Sequence, residues 1–139
     1  MPLKIITTLL LSVSFSCFSA SSMNLIFHIG LGANGQYKIG GTVQNDSSDE
    51  LLYGAITYIT IDKKCNPSEA KTANIGVIKP QSTLEFSIPL DGVLSSYRIL
   101  SITGWNNMGI AVDTEDKTAE IINKRDKEVM TNCKSVRLN

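Results

Sequence analysis

Apolar and polar residues alternate with a period of two along most of this chain beyond residue 22, a pattern that half-buried β-strands satisfy and helices do not. Asn24 to Leu31 places Leu25, Phe27, Ile29 and Leu31 on one face, with Ile26 and His28 on the other. Gly32 to Gly35 reads as a turn. From Gln36 to Gln44, Tyr37, Ile39, Gly41 and Val43 point inward, and Lys38, Gly40, Thr42 and Gln44 point outward. Leu51 to Asp62 is rich in β-branched and aromatic residues. Its alternation breaks near Gly54, which predicts a bulge or burial on both faces. Ile75 to Ile78, Thr83 to Leu90, Tyr97 to Trp105 and Met108 to Val112 complete seven short strands. Turn chemistry separates them at Asn45-Asp46-Ser47, Lys79-Pro80-Gln81-Ser82, Asp91-Gly92 and Asn106-Asn107. The expectation is all-β: an immunoglobulin- or fibronectin III-like antiparallel sandwich. Asp113 to Lys134 breaks the rhythm. Thr114 could cap a helix over 115–128, or Thr118 to Asn123 could form an eighth strand. The strand is the preferred reading.

The first twenty-two residues follow a different rule. Lys4 precedes an apolar run from Ile5 to Val13, and Ser19, Ala20, Ser21 and Ser22 are small. This is the layout of a cleaved secretory signal peptide, leaving residues 23–139, about 117 residues, as one domain of ordinary size. The apolar run is too short for a spanning helix, which predicts no membrane insertion. Ser14 and Phe15 fit a lipid-attachment box before Cys17 poorly. Cleavage removes Cys17 and leaves Cys65 and Cys133 in an oxidising compartment, secreted or periplasmic, where an even pair is expected to form a disulfide. The bridge would close a loop of about 68 residues, a constraint of roughly 4 kcal/mol. An intermolecular bridge or a redox thiol are the alternatives; no Cys-x-x-Cys or ligand cluster supports metal binding.

Thirteen basic and thirteen acidic residues give a chain without the basic footprint of a nucleic-acid or anionic-membrane binder. The lone histidine, His28, sits in a strand and reads as a surface or half-buried residue. Gly30-x-Gly32-x-x-Gly35 has dinucleotide-loop spacing, but the next segment alternates at period two, so it reads as a hairpin. No catalytic, cofactor-binding or metal-binding residues emerge. Asn45-Asp46-Ser47 is a formal glycosylation sequon. Trp105, Tyr53 and Tyr58 are amphipathic aromatics of the kind that anchor interfaces; filling the core or its rim is the alternative. Trp105 and the loop Lys63 to Asn74 are the expected contact region.

Gly41-Thr-Val-Gln-Asn45, Ala55 to Asp62 and Ile78-Lys-Pro80-Gln-Ser-Thr-Leu84-Glu-Phe86 resemble the FxLYD-type and related immunoglobulin-like domains of bacterial secreted proteins. The departure is Asp62-Lys-Lys-Cys65, where a glycine turn is usual; it suggests a disulfide-tied crossover in place of a hairpin. Size, leader and cysteine pair also resemble the interleukin receptor mimic protein A family. That resemblance implies a fibronectin III-like fold, binding of host cytokines and strand-exchanged dimers. The expected function is a non-enzymatic protein-binding module acting on a host or neighbouring-cell protein. A periplasmic inhibitor or immunity protein facing a bacterial toxin, and a strand-exchanging structural subunit or homodimer, are the alternatives.

Overall fold

Asn34 and Gly35 both take positive φ, 53° and 75°, the geometry of a type I′ turn that joins two antiparallel strands through two residues. They connect β1 (Ser22–Ala33) to β2 (Gln36–Asn45), so the Gly30 to Gly35 segment is a hairpin, as its context predicts. β3 (Leu52–Ile61), β4 (Lys71–Ile78), β5 (Ser82–Leu90), β6 (Ser96–Asn106) and β7 (Asp113–Asp116) follow. A computed structural model describes residues 22–92 and 96–124. Residues 1–21 of the expected leader, and Cys133, lie outside the described residues.

The strands form two sheets, one in the order β5-β2-β1-β7 and the other β4-β3-β6. Every pairing is antiparallel except that of β7 with the start of β1. The sheets pack face to face as a β-sandwich of immunoglobulin-like character. Met23, Leu25, Ile39, Val43, Leu52, Ile56, Ile78, Phe86, Ile88 and Ile102 form the core between them. Full burial of such a side chain contributes about 1.5–3 kcal/mol. These residues therefore hold the sheets together, not the exposed pair of Lys117 and Glu115 at 3.8 Å.

The Gly41, Val43 and Asn45 spacing has a physical basis. A Cβ on Gly41 would collide with the Phe86 ring, so the ring requires a glycine beneath it. Val43 is core. Asn45 is fully buried, and its amide donates to the carbonyls of Glu50 (2.8 Å) and Ile78 (3.0 Å). Its Oδ1 accepts from the Ser47 amide at 2.8 Å. The sequon asparagine is thus occupied inside the fold, with no free amide to carry a glycan.

The structure corrects several expectations. β1 shifts register between Leu25 and Phe27. That bulge keeps Leu25 in the core but turns Phe27, Ile29 and Leu31 out to solvent, and turns His28 inward. A pairing irregularity falls beside Gly54, but its extra residue, Ile75, lies on β4 and not on the predicted strand; β3 instead buries Gly54, Ala55 and Ile56 in succession. β4 begins at Lys71, earlier than Ile75, so the Lys63 to Asn74 loop is shorter than expected. The Asp62 to Cys65 segment is no crossover: β3 and β4 are adjacent antiparallel neighbours. Asp62 takes the place of the missing glycine turn by accepting from the amides of Lys64 (2.8 Å) and Asn66 (2.9 Å), while Cys65 adopts φ 64°. These amide bonds, that from Asn66 foremost, hold the Asp62 carboxyl below its ordinary range.

Met108 to Val112 is a turn with one bridge at Ala111, and the last strand among the described residues is Asp113–Asp116. Thr114 caps no helix; its hydroxyl donates to the Ile102 carbonyl at 3.0 Å. Residues 119–124 are helical, not an eighth strand. Asp116 Oδ1 accepts from the Thr118 amide, and Ile122 N–H donates to the Thr118 carbonyl, so the chain turns into a helix as soon as it leaves β7.

Candidate protein-interaction surfaces

Pairing of β3 with β6 sets Tyr53 directly opposite Trp105. The neighbouring pair, Gly54 and Gly104, faces Met23 in the core, so Tyr53 and Trp105 point to the opposite side, outward from the sandwich. Their rings stack, with centroids 6.4 Å apart and planes 13° from parallel. Val77 lies opposite Tyr53 on β4 and is 45% exposed. Ala111 bridges to Trp105 from the other side. The result is an apolar row, Val77–Tyr53–Trp105–Ala111, across the outer face of the smaller sheet. The Asn106 side chain accepts from the amides of Met108 and Ile110, both at 3.0 Å. It fixes a tight turn that leaves these two apolar side chains exposed just beyond Trp105.

The structure thus brings two of the three predicted contact residues together and separates the third. Tyr58 is 6% exposed and belongs to the core. Tyr58 lies in period-two phase with Leu52, Gly54 and Ile56 on the buried face of β3, and the extra residue of the nearby pairing irregularity, Leu100, lies on β6. Its hydroxyl titrates higher than an ordinary tyrosine, from burial first and then from Asp91.

His28 faces the interior from β1. Its Nδ1 lies 2.7 Å from the Tyr97 hydroxyl on β6, and the rings meet edge to face at 5.6 Å. Nε2 is buried with no hydrogen-bond partner. Burial lowers the His28 pKa below 6.5, and the carboxylate of Asp116 opposes that shift. The pair forms an interior clasp between the sheets; a Cβ on Gly30 would stand 2.9 Å from the Tyr97 ring, so the glycine makes room for the tyrosine. Beyond it, a cleft of about 750 Å³ opens at the hairpin end, lined by Gly32, Tyr37, Leu90 and Asp91 among others.

Among the described residues, no group of three His, Cys, Asp or Glu side chains could hold a metal ion. No helix among them is long and apolar enough to cross a membrane.

The second apolar surface, Phe27, Ile29 and Leu31 on β1, escapes sequence reasoning because regular alternation assigns these residues to the core. The signal that could have found it is Gly40, at the position opposite Ile29, together with the polar outward residues Thr42 and Lys38 beside Phe27 and Leu31. An apolar strand paired with that outward set must itself face outward.

Family models, curated proteins and solved structures contain no match to this chain.

Proposed function

We propose that this protein is a secreted or periplasmic, non-enzymatic binding module that docks another protein on the outer face of its smaller sheet. The observation that carries this reading is the stacked Tyr53–Trp105 pair on a solvent-facing sheet surface, flanked by exposed Val77, Met108 and Ile110. Rigid aromatics with low ordering cost are the usual anchors of protein interfaces. A host protein of cytokine type is the partner class in view, consistent with an exported protein of this architecture. The leader at residues 1–22 directs export. Cys65 pairs with Cys133 and ties the chain's C-terminal region to the β3–β4 connection; the even pair of cysteines that remains once the leader is removed supports this pairing.

The test is a pull-down with the exported protein against host and bacterial extracts, repeated with Trp105→Ala and Tyr53→Ala. Both variants should lose a partner that the parent captures, by about tenfold or more in affinity, while the melting temperature falls by no more than a few degrees. Undiminished capture by both variants would remove this face from the binding site. A large loss of stability would instead make the aromatic row a structural element.

A further inference from the structure

β1 is an edge strand for most of its length. β7 pairs with it only from Ser22 to Leu25, and the Lys117 amide closes that contact on the Leu25 carbonyl at 3.0 Å. Among the described residues, no strand pairs with this side of β1 from Phe27 to Ala33. The open stretch reads Phe-His-Ile-Gly-Leu-Gly-Ala and contains no lysine, glutamate or proline, the residues that ordinarily blunt a sheet edge. Phe27, Ile29 and Leu31 are 52%, 42% and 44% exposed on its outer face.

We infer that this edge pairs with the same edge of a second copy of the chain, antiparallel, about a two-fold axis at Gly30. Three features of the strand select that occupant. The first is hydrogen-bond parity. Ala33 and Gln36 flank a two-residue turn and form a hydrogen-bonded pair, so Ala33, Leu31, Ile29 and Phe27 direct their main-chain groups to β2. His28, Gly30 and Gly32 direct theirs to the open side. A two-fold at Gly30 sets Gly30 opposite its own copy and His28 opposite Gly32, so every outward donor meets an outward acceptor in about six hydrogen bonds.

The second feature is side-chain register. The same axis places Ile29 of each copy opposite Leu31 of the other on the outer face, joining two exposed apolar stripes into one. The third is fit. In this register the hairpin tip of one copy, Asn34 and Gly35, comes level with Ile26 and Leu25 of the other, just where β7 ends. The open stretch is as long as its own complement requires. The two four-stranded sheets then merge across the axis, and each protomer keeps all of its own strands.

The contact is one strand wide, at or below the roughly 1,000 Å² of a standard stable interface. The dimer is therefore reversible, with a dissociation constant of about micromolar or weaker. This inference uses a different sheet from the Tyr53–Trp105 face and stands apart from the binding function proposed above.

Sedimentation velocity of the purified protein over a wide concentration range tests it, alongside two double variants, Ile29→Lys with Leu31→Lys and Ile29→Glu with Leu31→Glu. The parent should show a concentration-dependent monomer–dimer equilibrium. Each variant alone should sediment as a monomer with a dissociation constant raised roughly tenfold or more. An equimolar mixture of the two should recover a heterodimer, since each lysine then faces a glutamate; this arm reads the pairing even if one variant is less stable. A parent that stays monomeric at millimolar concentration would overturn the inference. So would a dimer that survives both variants, or a mixture that fails to associate.

Discussion

His28 illustrates how one residue's surroundings set a measurable property. Its ring is held between the sheets by Tyr97, and burial lowers its pKa below 6.5. The unfolded chain therefore binds a proton at higher pH than the folded one. Stability from this group is fully present above about pH 6.5 and is lost as pH falls from the unfolded pKa towards the lowered folded one. The melting temperature should decline on acidification through that window, and His28→Gln should flatten the decline; an unchanged slope in the variant would assign the acid sensitivity to other groups. Residue identity was legible in the sequence here, but residue facing was not. Nothing in Phe27-His28-Ile29 says that the histidine goes in and its apolar neighbours go out. That outcome follows from the bulge and from the Tyr97 ring lying over Gly30.

At the scale of the element, β1 is two half-strands of opposite facing joined at Ile26. Met23 and Leu25 fill the core; Phe27, Ile29 and Leu31 do not. Ile26 is the extra residue of the bulge, so deleting it would leave Leu25 opposite Val43 and Phe27 opposite Thr42 in an unbroken ladder, with each half keeping its face. Urea unfolding of this deletion should stay within about 1–2 kcal/mol of the parent. A loss of roughly 3–5 kcal/mol, the size of a large core disruption, would mean that the bulge itself is needed to seat the two halves. β2 and β5 behave differently. Both have unbroken alternation, and both place the predicted residues inward, because their partners impose no extra residue on them. The predicted contact residues of β3 divide by plain alternation. Tyr58 shares the buried face of Leu52, Gly54 and Ile56, whereas Tyr53 is on the other face beside Trp105.

For the whole molecule, the core lies between two sheets whose pairings are mostly long-range. The chain's last described segment returns to its first strand through β7. A Cys65–Cys133 bridge would reinforce this closure by restricting the unfolded chain over a loop of about 68 residues. Cys133→Ser should lower stability by roughly 2–4 kcal/mol under non-reducing conditions, and a reductant should bring the parent down to the same level. An unaltered unfolding midpoint would leave the thiols without a structural role. The same closure covers only the first four residues of β1, so among the described residues the rest of that edge has no partner strand beyond β2.

The sequence by itself determined the fold class, the order of the strands and most turns. These depend on local causes: period-two burial, the Asn34-Gly35 turn, and the Asn45 and Pro80 turn chemistry. Tertiary structure decided which face of β1 is buried, how β3 and β4 connect, where the last strand lies, and which aromatics meet at the surface. Each of those depends on a bulge, a capping side chain or a cross-strand neighbour. A bulge shifts register by one residue and reverses every side chain beyond it, so a local pattern that is correct in period can be wrong in sign until the partner strand is in place.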